Sequence, residues 1–409
     1  MNSTLALYLA VFGALLLVAV LLDDIADRLR VPGILLVLLL GLLTENNVNA
    51  LPGTSAGQFV SLTQASEIAQ VALVLLLFFG GLTANWREMR EVLHPAARLA
   101  SLGALLTALI ITLVVSVLGA LPITDRTPSL PVALFIGAMV CSTDASAVLA
   151  LLRPLQGQLP QRLIDLIECE SGFNDPVAVV LASLAMAMGL GGEGTTTSQL
   201  VIEAMRQFLL GALLGFLGGS LARQVLSARR FMASTSLMAV VSLAVLFLLV
   251  GSCQLLGGSG ILAAYIAGLV LANSTDCDRG LLAEAHAGFA KMAELMLFLS
   301  LGLVVEGEQV LNIVVWVMVL FLVVQGARWL MVEVMLLRSH FSRAEKLMIS
   351  LSGLRGAVPI ALAIDAAASE LPWGKEMPPL ALGVVLLGLL SQGFSLVPLA
   401  RRLGLASTE

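Results

Sequence analysis

Four charged residues lie where the sequence is otherwise apolar: Asp144, Glu170, Asp175 and Arg355. A charge inside a bilayer is costly unless it faces a cavity or a partner. One stretch reads Glu168-Cys169-Glu170-Ser171-Gly172-Phe173-Asn174-Asp175-Pro176. On a helix, Glu170 and Asn174 are i,i+4 neighbours on one face, and Asp175 lies about 100° round from Asn174. One helix therefore turns a carboxylate toward a packing interface and another toward a cavity. Pairing Arg355 with one acid would serve packing alone. Three acids against one arginine leave surplus negative charge, which takes up a cation or protons according to pH. Carboxylate, hydroxyl and backbone oxygens are hard ligands that suit Na⁺, Li⁺ or K⁺. Burial favours the protonated carboxylate, so protons compete with the metal ion for the same group. If only the loaded forms switch access, exchange of one for the other is obligatory. Glu168, seven residues before Asp175 and nearly on its face, reads either as a funnel residue that senses pH or as a solvated helix start.

The elements that position these groups are transmembrane helices. Of 409 residues, 59% are hydrophobic and only 12% charged, about half the charge of a soluble domain. That excludes a soluble enzyme, a disordered chain and a nucleic-acid binder. Apolar runs of helix length exclude an outer-membrane barrel, whose strands alternate. About thirteen spans are expected, near 5–22, 31–44, 64–83, 97–121, 130–152, 161–190, 198–222, 232–252, 258–274, 285–304, 309–336, 343–368 and 378–400. The second and ninth are short. Seventeen of the 22 lysines and arginines fall in one set of alternate loops, and only Arg126 and Lys375 in the other. Arg206, Arg328 and Arg355 fall inside spans. By the positive-inside rule the N-terminus is outside and the C-terminus cytoplasmic, as an odd span count requires. The membrane expected is the inner, cell membrane.

The sequence repeats itself. Gly33-Ile34-Leu35 with Gly41-Leu42 matches Gly260-Ile261-Leu262 with Gly268-Leu269. Leu77-Phe78 with Gly81-Leu82 matches Leu297-Phe298 with Gly302-Leu303. The polar centre Ser142-Thr143-Asp144 corresponds to Ser352-Gly353-Leu354-Arg355-Gly356. The chain reads as one transmembrane domain over 1–409, with repeat one near 5–190, a linker helix near 198–222 and an upside-down repeat two near 232–400. Inverted repeats are the build of secondary transporters, with the site where corresponding helices break near the midplane. Pro359 and the glycines around Arg355 mark one such break, and Asp144 and Arg355 supply charge to the bare half-helix ends.

Thr143-Asp144, Glu170-x-x-x-Asn174-Asp175 and Gly353-Leu354-Arg355-Gly356 together resemble the NhaP branch of the cation/proton antiporter superfamily. The resemblance covers nearly the whole chain. It implies an all-α, NhaA-like fold with two crossed, unwound helices. It implies a homodimer whose six-helix core moves as an elevator against the remaining helices. It implies that Asp175 binds cation and proton in turn, with Asp144, Ser171 and the Thr143 backbone helping to hold the ion. It implies that Glu170 pairs with Arg355, with Asn174 close by, as structure. The Asn-Asp sequence implies electroneutral exchange of one cation for one proton, in the service of pH homeostasis. Many relatives carry an acid in the third span, near Phe78-Phe79-Gly80-Gly81, and this chain has none there. Ser171-Gly172 and Pro176 resemble the potassium/proton subgroup as much as the sodium one, so Na⁺ is the first expectation and K⁺ the alternative. A cytoplasmic C-terminal domain, frequent in that subgroup, is not expected within this chain.

No enzyme activity, cofactor or ATP site is expected; no P-loop pattern occurs. The expected partners are membrane lipids and a second copy of the chain, with no nucleic acid. A sodium-coupled organic-anion symporter and an ion channel are the rival classes; an intramembrane aspartyl protease lacks its Gly-x-Gly-Asp motif. Arg328 is expected to snorkel toward the cytoplasmic surface, with a functional pair to Glu333 as the alternative. The histidines His94, His286 and His340 are expected in loops, and the four cysteines as free thiols.

Overall fold

Without water to bond to, each apolar run closes its backbone hydrogen bonds on itself as helix. The computed structural model describes residues 3–29, 31–44, 46, 58–86, 89–120, 128–191, 197–227, 235–275, 277–369 and 371–406. Arg30, Arg87, Arg126, Arg229 and Arg230, which belong to the loop tally, lie outside them. In chain order the spans are α1 (Ser3–Leu29), α2 (Gly33–Leu43), α3 (Leu62–Thr83) and α4 (Leu93–Gly119). The fifth is broken into α5a (Leu130–Met139) and α5b (Ala145–Leu152). Then come α6 (Gln161–Leu190), α7 (Thr197–Leu226), α8 (Thr235–Leu255), α9 (Gly260–Ala272), α10 (Arg279–Val304) and α11 (Val314–Met335). The twelfth is broken into α12a (Arg343–Leu351) and α12b (Ala357–Ala368), and α13 (Met377–Arg402) ends the set. Nine of these helices among the described residues are long and apolar enough to cross a membrane alone. The chain is an integral, multi-pass membrane protein.

Two helices are short, as expected, with 11 residues in α2 and 13 in α9. Polar caps stop α9 at both ends. Ser259 accepts from the Leu262 N–H at its start, and at its end the Asn273 amide donates to the Leu269 and Ala84 carbonyls. Helix α10 begins six residues earlier than its hydropathy suggests, because Asp278 caps it by accepting from the Leu281 N–H. The fourth span likewise starts earlier, at Leu93, and passes through a π-helical stretch at Leu99–Gly103.

The helices sort into two packing groups. One holds α4, α5, α6, α11, α12 and α13; the other holds α1, α2, α3, α7, α8, α9 and α10. The groups meet chiefly where α12b lies against α3 and α10, and where α6 lies against α7. In the first group the Arg162 guanidinium takes both carboxylate oxygens of Glu345 at 2.8 and 2.9 Å, tying the start of α6 to the start of α12a. In the second group, contacts between backbones are set by glycine. A Cβ on Gly41 would stand 2.7 Å from the Leu299 carbonyl, and one on Gly302 2.6 Å from the Leu38 carbonyl, so α2 and α10 touch along bare backbone. Helices α3 and α9 cross in the same way at Gly81 and Gly268, where a Cβ would collide with the Tyr265 and Phe78 carbonyls.

Candidate functional site

The two broken spans cross at their breaks. Helix α5a ends at Met139, and Asp144 caps α5b, its carboxylate accepting from the Ala147 N–H at 3.1 Å and the Ser146 hydroxyl at 2.6 Å. The Asp144 N–H donates to the Leu354 carbonyl in the other break at 2.9 Å. Its carboxylate also rests against the Gly356 α-carbon at the start of α12b, where any Cβ would collide with it. One anion thus serves the positive ends of two half-helices.

Helix α6 runs beside the crossing and presents its polar residues in two directions. Glu170, Ser171 and Asn174 are buried; Asp175 is half-buried and lines a cavity. The Asn174 amide donates to the Thr143 hydroxyl oxygen at 2.8 Å and accepts from the Thr143 N–H at 3.2 Å. The Ser171 and Thr143 hydroxyls share a hydrogen bond of 2.9 Å. These bonds hold the unwound part of α5 against α6. Pro176 removes the helical donor for the Gly172 carbonyl just beside Asp175.

The cavity has a volume of about 620 Å³. Ser142, Thr143, Asp144, Ser171 and Asp175 line its inner part, and Gly356–Pro359 the wall from α12b. Met89 of the α3–α4 connection and Arg279, the first residue of α10, also line it, so the cavity reaches the helix ends where Arg90 and Arg279 lie. Glu168 lines this cavity and also a neighbouring one of about 490 Å³ bounded by the α5b–α6 connection. Asp144, Asp175, Thr143 and Ser171 together offer two carboxylates and two hydroxyls, a donor set for a small hard monovalent cation.

The ion pair differs from the expectation. Glu170 pairs with Arg328 of α11, not with Arg355: the Arg328 guanidinium meets both carboxylate oxygens, one contact measuring 2.9 Å. Arg328 is 3% exposed and also donates to the Ile349 carbonyl at 3.3 Å, so it does not snorkel, and it does not pair with Glu333. Glu333 instead approaches Lys346, at 3.8 Å. The cause is helical phase. Val317, Leu320, Val324, Ala327, Arg328 and Met331 form one buried stripe, and Arg328 falls within it. Arg355 is buried beside Arg328, and none of its guanidinium nitrogens has a hydrogen-bond acceptor among the described residues.

Three further groups escape sequence reading. His286 is no loop residue: it is buried in α10, 2.6 Å from the Ser242 hydroxyl and edge-on to Phe78. Lys291 and Glu294 lie within α10 and line the cavity. Their Lys-x-x-Glu spacing inside the expected span 285–304 is the available signal, and counting Lys291 among the loop basics hides it. Asp365 of α12b accepts from Ser66 at 2.9 Å and Gln70 at 2.7 Å, both on α3.

Comparison with known proteins follows the same lines. Residues 13–402 match the family model for the sodium/hydrogen exchanger, transmembrane. A "K(+)/H(+) antiporter NhaP2" of a Shewanella strain is 33% identical over 95% of this chain and 66% of its own length. A "K(+)/H(+) antiporter NhaP" of Alkalimonas amylolytica is 30% identical over 98% of this chain and 67% of its own. The chain thus spans about two thirds of the length of these curated relatives. The sodium proton antiporter MjNhaP1 of Methanocaldococcus jannaschii shares the fold, with a TM-score of 0.79 at 24% identity, covering 98% of this chain and 99% of that one.

Proposed function

The chain belongs to the transmembrane sodium/hydrogen exchanger family, and from that premise we propose that it is a secondary transporter exchanging a monovalent cation for a proton. The observation that carries the proposal is the pair of carboxylates, Asp144 and Asp175, at the inner end of one cavity where two broken helices cross. Asp175 binds cation and proton in turn: its half-buried carboxylate lines the cavity, takes a hydrogen bond from the Ser142 side chain and has no ion-pair partner among the described residues. Asp144, Ser171 and Thr143 complete the cation's oxygen ligands. Glu170 and Asn174 are structural: one is bound to Arg328, the other holds the α5 break. Arg355 supplies positive charge to the carbonyl ends of the broken helices, in place of the ion pair first assigned to it. Glu168 lines the path to the site. Only the loaded carboxylates permit the first helix group to move against the second, which makes exchange obligatory.

The inverted repeat supports this cycle. The α2–α10 contact through Gly41 and Gly302 has a counterpart in the α9–α3 contact through Gly268 and Gly81, and the repeat pairs those same glycines. The cavity opens on the basic side, which by the positive-inside rule is cytoplasmic, with the N-terminus outside and the inner membrane as the location. Helices α1 and α7 leave most of their surface uncovered, which suits lipid and the partner face of a homodimer. The transported ions are the substrates; the cycle needs no cofactor, ATP or covalent catalysis.

Na⁺ is the first candidate cation. K⁺ is the second reading, and the names of the two relatives above favour it. The test is proton movement in proteoliposomes with a pH probe inside, adding Na⁺, K⁺ and Li⁺ in turn at zero and at large membrane voltage. Cation-driven proton movement that ignores voltage supports one-for-one exchange, and the ranking of ions identifies the cation. No proton movement with any ion removes the proposal and leaves the anion symporter.

A further inference from the structure

The cavity carries charge on both of its walls. Asp144, Glu168 and Asp175 come from the first helix group, and Arg279, Lys291 and Glu294 from α10 in the second. Arg279 is occupied, donating to the Thr83 carbonyl at 2.8 Å. On α10 the lining residues Ala287, Ala290, Lys291 and Glu294 follow i, i+3, i+4, i+7 spacing, so they form one face. Two alanines leave that face open, and the only charges among these four are an adjacent lysine and glutamate. The Lys291 ammonium lies 3.1 Å from Glu294 Oε2 and 3.0 Å from Asp23 Oδ2 of α1. Asp23 is itself seated against the Gly33 α-carbon at the start of α2 and is not part of the cavity wall. One ammonium is therefore shared between two carboxylates. The group keeps one unit of negative charge, and Glu294 stands within electrostatic reach of Asp144 across the cavity.

We propose that Glu294 is the second helix group's share of the cation site: a carboxylate that receives the incoming monovalent cation opposite Asp144, with Lys291 as the countercharge that limits its affinity. This rests on the exchange reading above. Asp23 makes the arrangement workable, because Lys291 keeps a partner when Glu294 turns to the cation. Asp144 and Asp175 lie in one packing group and Glu294 in the other, so the three come together in the conformation that opens the cavity on this side.

Removing either member breaks the Lys291–Glu294 contact, while the charge facing the cavity changes in opposite directions. That difference is the test. Cation-driven proton movement is measured in proteoliposomes at alkaline pH, where protons compete least, for wild type, Glu294→Gln, Glu294→Asp and Lys291→Gln. Glu294→Gln is expected to raise the cation KM by about threefold to tenfold, and Lys291→Gln to lower it by a similar factor, as for one charge acting across a wet cavity. Glu294→Asp, which keeps the charge, is expected to shift KM less than Glu294→Gln. A KM that moves in the same direction in both charge-removing variants, or in neither, assigns the pair to packing and overturns the inference alone. Wild-type vesicles without cation-driven proton movement overturn the exchange reading with it. Should Glu294→Gln fail to fold, Lys291→Gln decides: a lowered KM supports the inference, and an unchanged or raised one overturns it.

Discussion

The Arg328 guanidinium reaches from α11 to both carboxylate oxygens of Glu170 on α6, while Arg355 lies buried beside it without an acceptor among the described residues. The pair is 3% and 1% exposed, so neither charge has water to fall back on. Removing one partner of a buried pair leaves the other uncompensated, at a cost of about 3–5 kcal/mol. Arg328→Ala is therefore expected to lower the thermal midpoint of the detergent-solubilised protein strongly. Arg355→Ala strands no paired carboxylate and is expected to cost less. Unfolding curves of the two variants decide it; a larger loss for Arg355→Ala would reassign the partner of Glu170.

Asn174 holds the α5 break through two bonds to Thr143, donating one and accepting one. Alanine there leaves the buried Thr143 N–H without its acceptor, a loss of about 1–3 kcal/mol. Asn174→Asp still accepts from the N–H but cannot donate to the hydroxyl oxygen when ionised. It is expected to fall between wild type and Asn174→Ala in stability. Both variants are expected to exchange more slowly, because Thr143 and Ser171 lose their fixed positions. Melting and proton-flux measurements on the same preparations check the order.

Gly356 is required by contact with Asp144. A Cβ at Gly356 meets the Asp144 carboxylate and drives it from its bonds with Ala147 and Ser146. Gly356→Ala is expected to weaken apparent cation affinity by about tenfold, the equivalent of roughly 1.4 kcal/mol at the site. Gly326→Ala is the control, since a Cβ there meets nothing within 4 Å. Equal cation KM values in the two variants would show that Asp144 does not set affinity.

Much of this architecture is legible in the sequence, and the exceptions share a cause. Apolar runs give the spans because a bilayer forces each run to satisfy its own backbone. The breaks were legible because Pro359 and the glycines near Arg355 cannot continue a helix, and the α6 motif because i,i+4 spacing sorts Glu170 and Asn174 from Asp175. Partner choice was not legible. Arg328 and Arg355 both lie within apolar runs, and only the phase of α11 against α4 and α12 brings Arg328 to Glu170. Lys291 and His286 read as loop residues because they sit near the start of the expected span 285–304; the Asp278 cap starts α10 six residues earlier and sets both well inside the helix. The Asp365–Ser66–Gln70 contact joins residues some 300 apart in sequence and has no local signature at all.

The last prediction concerns protons. If Asp175 holds cation and proton in turn, the two ligands compete for one carboxylate, and mass action fixes the sign. Falling pH fills Asp175 with protons, so the apparent cation KM rises, by at most about tenfold per pH unit for one proton against one cation. A saturating cation concentration restores the rate at moderately acidic pH, because competition changes KM before it changes the maximum. Asp175→Ala removes the shared group and is expected to abolish exchange while leaving the fold intact, since its half-buried carboxylate lines the cavity and its loss costs a hydrogen bond with Ser142 rather than an ion pair. Asp175→Glu keeps a carboxylate and is expected to retain some exchange with a displaced pH profile. Initial rates over a grid of pH and cation concentration distinguish the alternatives. A KM that stays flat with pH while the maximum rate falls would place cation and proton on separate groups, and Asp144 would then be the first candidate for the second.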